Sequence, residues 1–208
     1  MKTLASMILL ASCVFAQQGP PKAAPQASGD AAFRNLADRY FNEVYFKFNP
    51  TQGTAAGFHQ YDTQFEDLSS QTIGAEIGAL HRFRTLFDQV DPGRLSPEAR
   101  ADRDFLISNI MGTLLALETI RAWELNPDIY SSSTAASAFT IMSRKYAPAD
   151  ERLKSLTERE QKMPAVLDEA RQNLKNPPRI YTDVALEQIP GIIGFFQKDV
   201  PDAFAGAK

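Results

Sequence analysis

At 208 residues, 44% hydrophobic and 23% charged, the chain has ordinary globular composition and is long enough for one domain with a core. Its net charge of -3 comes without any cluster of Lys and Arg, which argues against a phosphate-tracking surface and so against a nucleic-acid partner. The single cysteine, Cys13, lies in the first sixteen residues, so the processed domain has no disulfide, thiol nucleophile or cysteine metal ligand.

Those sixteen residues, MKTLASMILLASCVFA, carry one basic residue, an apolar run and small residues before a cut after Ala16, the layout of a signal peptide spanning 1–16. Leu10-Ala11-Ser12-Cys13 also forms a lipoprotein box, in which Cys13 would be the lipidation site. The expectation is an exported protein, periplasmic or secreted, alternatively tethered to a membrane through lipid. Removing the leader takes away Lys2 and moves the net charge to -4. No later stretch reaches the roughly 20 uncharged apolar residues of a bilayer span, so no permanent transmembrane helix is expected.

Residues 17–29, rich in Pro, Ala and Gln, read as a disordered linker, because such a composition buries too little apolar surface to fold. From Asp30, Phe33, Leu36, Tyr40, Val44 and Phe48 share one helical face up to Pro50. Residues 51–68 contain two glycines and no sustained period, which predicts a loop with one short helix. Ser69 or Ser70 caps a second helix to about Val90, stopped by Asp91-Pro92-Gly93.

The stretch 96–126 carries the strongest signal. Ser96 at the cap, Pro97 at the first helical position and Glu98 in the first turn mark its start. Leu106, Ile107, Ile110, Met111, Leu114, Leu115 and Leu117 then form a broad apolar arc. So wide an arc predicts one long central helix around which shorter helices pack. Further helices are expected near 134–146, 148–161 with a break at Met163-Pro164, a continuation to 175, and 182–198 with a kink at Pro190-Gly191. No segment alternates as a strand does. The class is all-α, an irregular multi-helix array.

Chemistry is sparse. The chain has two histidines and neither HExxH, GxSxG nor a glycine-rich phosphate loop. His81 sits within a helix and is assigned no role. His59, Tyr61 and Asp62 gather an imidazole, a phenol and a carboxylate on one loop; they are candidate ligand contacts, against the simpler reading that His59 and Asp62 hold the turn. Glu118 and Arg121, three apart inside the apolar arc, are expected to form a structural ion pair. Glu66 with Asp67, and Glu158 with Glu160, read as solvated surface.

Several punctuated features nevertheless coincide in order: Asn49-Pro50; Gly57-Phe58-His59-Gln60-Tyr61-Asp62; Leu117-Glu118 with Arg121; Asn126-Pro127-Asp128-Ile129-Tyr130; Arg144-Lys145-Tyr146-Ala147-Pro148; Arg152-Leu153; Met163-Pro164; and Ala170-Arg171-Gln172-Asn173-Leu174. Together they resemble the N-terminal part of the bacterial domain-of-unknown-function family 885, over nearly everything after the linker. The resemblance implies an exported or lipid-anchored, largely helical protein similar to HExxH zinc metallopeptidases. Zinc is implied for full-length relatives only, since their metal motif lies in a C-terminal half that nothing here matches. No catalytic or metal-binding residue and no cofactor therefore carries over.

On that basis residues 30–208 are expected to be the N-terminal helical half of a larger protein. That half would be incomplete at its C-terminus and inactive alone. Its partner would be the missing C-terminal catalytic half and, through it, a peptide substrate. Ile192, Ile193, Phe195 and Phe196 would then form an exposed apolar patch. The alternative is a self-contained exported helical binding or scaffold module.

Overall fold

The computed structural model describes residues 28–207, and among them every regular element is helical. The signal peptide, Cys13 and most of the linker lie outside the described residues.

The chain builds two apolar cores. The first gathers α1 (Asp30–Tyr40), α4 (Ser70–Asp88) and α5 (Pro97–Leu114) around Phe33, Tyr40, Val44, Leu80, Phe83, Phe87 and Ile110. These helices start where their sequences demand. Ser69 Oγ accepts the Thr72 N–H at 3.2 Å, and Ser96 Oγ accepts that of Ala99 at 3.2 Å. Each occupies a donor that the helix itself leaves unpaired. Tyr40, Phe83 and Phe87 meet ring to ring at 5.7 to 6.3 Å. After α1 the backbone widens into a π-turn over Phe41–Tyr45, then closes as the single turn α2 (Phe46–Phe48).

The second core is organised around α7 (Asp128–Ser143). This helix touches α3 (Pro50–Ala55), α8 (Ala149–Glu160), α9 (Met163–Asn173), α10 (Arg179–Gly194) and α11 (Val200–Ala203). Tyr130, Thr134, Ser137, Ala138 and Ile141 are its buried residues, a face at the helical period built largely of small side chains. Ser133 and Thr134 return their hydroxyls to carbonyls one turn back, at 2.9 and 2.6 Å. Such bonds let hydroxyls enter a core without an orphan donor. The sequence places the start of this helix near residue 134; it begins six residues earlier, because Asn126 Oδ1 accepts the Asp128 N–H at 3.1 Å.

The long central helix expected over 96–126 is corrected. After Leu114 it widens into a π-turn, Leu115–Ile120, and breaks at Arg121, whose φ of 53° is left-handed. The short α6 (Ala122–Leu125) follows. The break is held by Trp123, whose indole N–H donates to Leu117 O at 3.0 Å, and so satisfies a carbonyl that the ending helix releases. By length and composition alone Pro97–Leu125 could cross a membrane, which the sequence reading did not anticipate. Only 17% of its most apolar window is buried, and Ala99, Leu106, Ile110 and Leu114 are the buried residues of α5.

α10 also departs from expectation, starting at Arg179 and running through Pro190. Its start lies three residues before the expected 182. Ala185 is its only buried residue, while Ile180, Val184, Leu186, Ile189 and Ile193 are exposed. Ile192, Phe195 and Phe196 are partly covered.

Candidate functional site

Two constellations carry polar chemistry. The first lies where the loop of the predicted candidates His59, Tyr61 and Asp62 meets the second core. α3 brings Gly53 beneath this loop, where Phe58 N–H donates to Gly53 O at 2.9 Å. Gly57, at φ 91°, turns the chain in a way that other residues resist. A Cβ on Gly53 would come within 2.5 Å of the Tyr61 ring, so the close approach requires glycine.

His59 and Asp62 do meet: Nδ1 lies 3.1 Å from Asp62 Oδ2. The imidazole stacks on Tyr146 at 3.9 Å and remains half-exposed, whereas Asp62 is buried. Burial, and then the Asp62 carboxylate, push the Tyr146 phenol well above its ordinary range. Tyr61 contributes its backbone, not its ring, because its carbonyl accepts from Arg159 Nη2 at 2.7 Å.

Arg159, fully buried on α8, is the centre that sequence reading missed. Nη2 also donates to Thr54 Oγ1 at 2.6 Å, and Nη1 to Ser137 Oγ and O at 3.0 and 3.3 Å. Burial lowers its pKa, and Glu66 and then Asp62 oppose that. Glu66 is not solvated surface: it accepts the Thr51 N–H and hydroxyl at 2.9 Å each. The missed signal was register, since Arg152, Leu156 and Arg159 recur at helical spacing on one buried face. Arg152 donates to the last carbonyls of α7, Ile141 O and Met142 O, both at 3.1 Å. The His59–Asp62 pair has the geometry of an oriented base, but its surroundings are those of an anchor that pins the loop onto α3, α7 and α8.

The expected Glu118–Arg121 pair is corrected. The left-handed turn at Arg121 takes the two residues off a common helical face. Arg121 reaches forward to Glu124, Nε to Oε2 at 2.7 Å and Nη2 to Oε1 at 2.6 Å. Glu118 instead faces His81 Nε2 at 2.8 Å on the surface. Lys175 closes the joint with Nζ on Glu124 Oε1 and its backbone N–H on Glu124 O, both at 2.8 Å.

The second constellation is a seam between α1, its π-turn and α5. A cavity of about 420 Å³ has walls of Phe41, Phe46 and Phe105. A neighbour of about 380 Å³ shares Tyr40, Tyr45, Gln52 and Asn109 with it and adds Asn49 and Glu76. A third, also about 380 Å³, shares Phe41, Phe105 and Leu106 and extends to Arg34 and Asp102. Glu76 occupies the apolar stripe of α4 between Ile73 and Leu80, and burial pushes its carboxyl upward against a smaller opposing effect of the Asn49 amide.

Among the described residues no group of three or more His, Cys, Asp or Glu is placed to hold a metal ion.

No curated protein matches the sequence. The fold matches a solved structure of a candidate lipoprotein of unknown function from Shewanella oneidensis, with a TM-score of 0.73 and 20% identity. The match covers 82% of this chain and 31% of that one, so the chain spans about a third of that protein's length. A family profile matches residues 50–208, more than half of the sequence, and the chain belongs to the family described as bacterial protein of unknown function, DUF885.

Proposed function

We propose that the chain is a non-catalytic, exported helical binding module whose ligand seat is the aromatic seam between α1 and α5. The carrying observation is that one cavity shares side chains with a neighbour on either side, joining the aromatic walls Phe41, Phe46 and Phe105 to the amides Asn49, Gln52 and Asn109. Sites for small molecules have this makeup, mostly apolar with a few placed polar groups. The leader, the Leu10-Ala11-Ser12-Cys13 box and the description of the Shewanella oneidensis protein support export or lipid anchoring. His59, Tyr61 and Asp62 serve here as the anchor of the loop. Screening small apolar compounds by amide NMR tests the reading. Binders should perturb Tyr45, Phe105 and Asn109, and Phe105→Asp should abolish the effect; perturbations confined to other surfaces would reject it.

A second reading is supported by α10. A helix with this many apolar residues ordinarily buries a face against a neighbour, yet this one buries only Ala185. In that reading the chain is the helical N-terminal region of a longer, metallopeptidase-like protein, and a C-terminal half covers α10. A wild-type chain that stays monomeric and highly soluble at high concentration would count against it.

A further inference from the structure

We propose that the seam recognises a primary ammonium group carried on an apolar body, with Glu76 as the carboxylate that receives it. The inference deepens the binding-module reading and rests on it.

Glu76 is partly buried in a cavity lined mainly by polar groups, with the buried Val44 and Leu80 behind them. A carboxylate there has lost much of its hydration, and a cation restores what burial removed. Several cations on α1, α4 and α5 pair with other carboxylates. Arg39 and Arg82 pair with Glu43, Arg84 with Asp88, Arg103 with Asp104, and His81 with Glu118. The protein itself thus sets a negative charge at one end of the seam and pairs its own cations away from it.

The remaining walls fit an ammonium better than another cation. Tyr40 and Tyr45 line the same cavity; Tyr45 is only partly buried, and an aromatic ring attracts positive charge. Asn49, Gln52 and Asn109 supply amide oxygens, so the three N–H donors of a primary ammonium can be shared between the carboxylate and neutral acceptors. A calcium-like ion would demand more oxygen ligands than one carboxylate and three amides provide. Beyond the polar end, Phe41, Phe46 and Phe105 begin the adjoining cavity, which places the apolar body of the ligand next to its charge. An anion would meet Glu76 as a like charge. Two sources share this chemistry, a free arylalkylamine and the N-terminus of a peptide that begins with an apolar residue.

The test is isothermal titration of the whole chain with phenethylamine, the dipeptide Phe-Phe and its N-acetylated form. The amines should bind, acetylation should weaken binding about tenfold or more, and Glu76→Gln should cost the amines about tenfold, the loss of one charge-assisted hydrogen bond. Glu76→Gln is close to isosteric, and an unchanged melting temperature confirms that it folds. Preference for phenethylamine identifies a free amine and preference for Phe-Phe a peptide terminus; either supports the inference. Equal binding of the acetylated form, or no effect of Glu76→Gln, overturns it. In that case loss of all binding in Phe105→Asp leaves the seam as an apolar seat, whereas titrations in which no compound binds overturn both readings.

Discussion

Arg121 embraces Glu124 with two hydrogen bonds, Nε to Oε2 at 2.7 Å and Nη2 to Oε1 at 2.6 Å, across the point where the chain passes from the first core to the second. The arginine also lies 5.2 Å from the Trp123 ring centroid. Two charges of one sign converge on one carboxylate, because Lys175 binds the same Oε1.

This joint sets an acid limit on stability. Arg121 first, and Lys175 second, lower the Glu124 carboxyl from its ordinary 4.5 to about 2. A depressed carboxyl contributes stability that is complete above pH 4.5 and is lost as pH falls toward 2. Urea titrations between pH 6 and 2.5 should show wild type losing stability below about pH 4.5, and Glu124→Gln losing less over the same interval. Parallel curves for the two proteins would contradict this. Glu118→Ala removes only an exposed pair with His81 and should change stability by less than about 1 kcal/mol at pH 7.

Replacing Arg159 should be severe. Its guanidinium supplies donors to Ser137, Thr54 and Tyr61 and faces the charges of Glu66 and Asp62. Arg159→Met keeps much of the volume but strands those acceptors and carboxylates, at a cost of about 3 to 5 kcal/mol. Chemical denaturation measures the loss, and limited proteolysis should cut first in residues 57–64. A variant as stable as wild type would remove Arg159 from its place as the anchor.

Gly53→Ala addresses the same loop from beneath. The added methyl meets Tyr61 ring carbons at 2.5 and 2.8 Å, so the ring or the loop must move. Overpacking of this kind costs about 1 to 3 kcal/mol. The His59–Asp62 contact should loosen with it, read as a shifted His59 ring resonance in NMR. A wild-type melting temperature together with an unmoved His59 signal would show that the space is larger than the geometry indicates.

On α10 the expected result is the reverse. Ile180 and Leu186 are 64% and 60% exposed, so Ile180→Lys with Leu186→Lys should leave stability within about 0.5 kcal/mol per site. Self-association, measured by sedimentation velocity, should fall because the apolar patch has been broken. A strong loss of stability would mean that these side chains pack inside the chain.

Local chemistry was enough to determine the all-α class and the starts of α4 and α5, whereas of the apolar patch expected at Ile192, Ile193, Phe195 and Phe196 only Ile193 is exposed. Caps, prolines and wide apolar arcs act over a few residues and need no distant partner. The meeting of His59 with Asp62 was likewise local, three residues apart on one turn. The tertiary structure decided the rest. α7 became the hub of the second core although it has no strong apolar stripe, because small side chains let five neighbours approach and their hydroxyls bond back to the helix. Arg121 left Glu118 for Glu124 because one left-handed residue rotates everything after it, a choice that Trp123 and Lys175 fix from outside the helix. Arg159 lies 98 residues from Tyr61 in sequence, and a buried charge at that separation becomes an anchor only once folding brings its acceptors together.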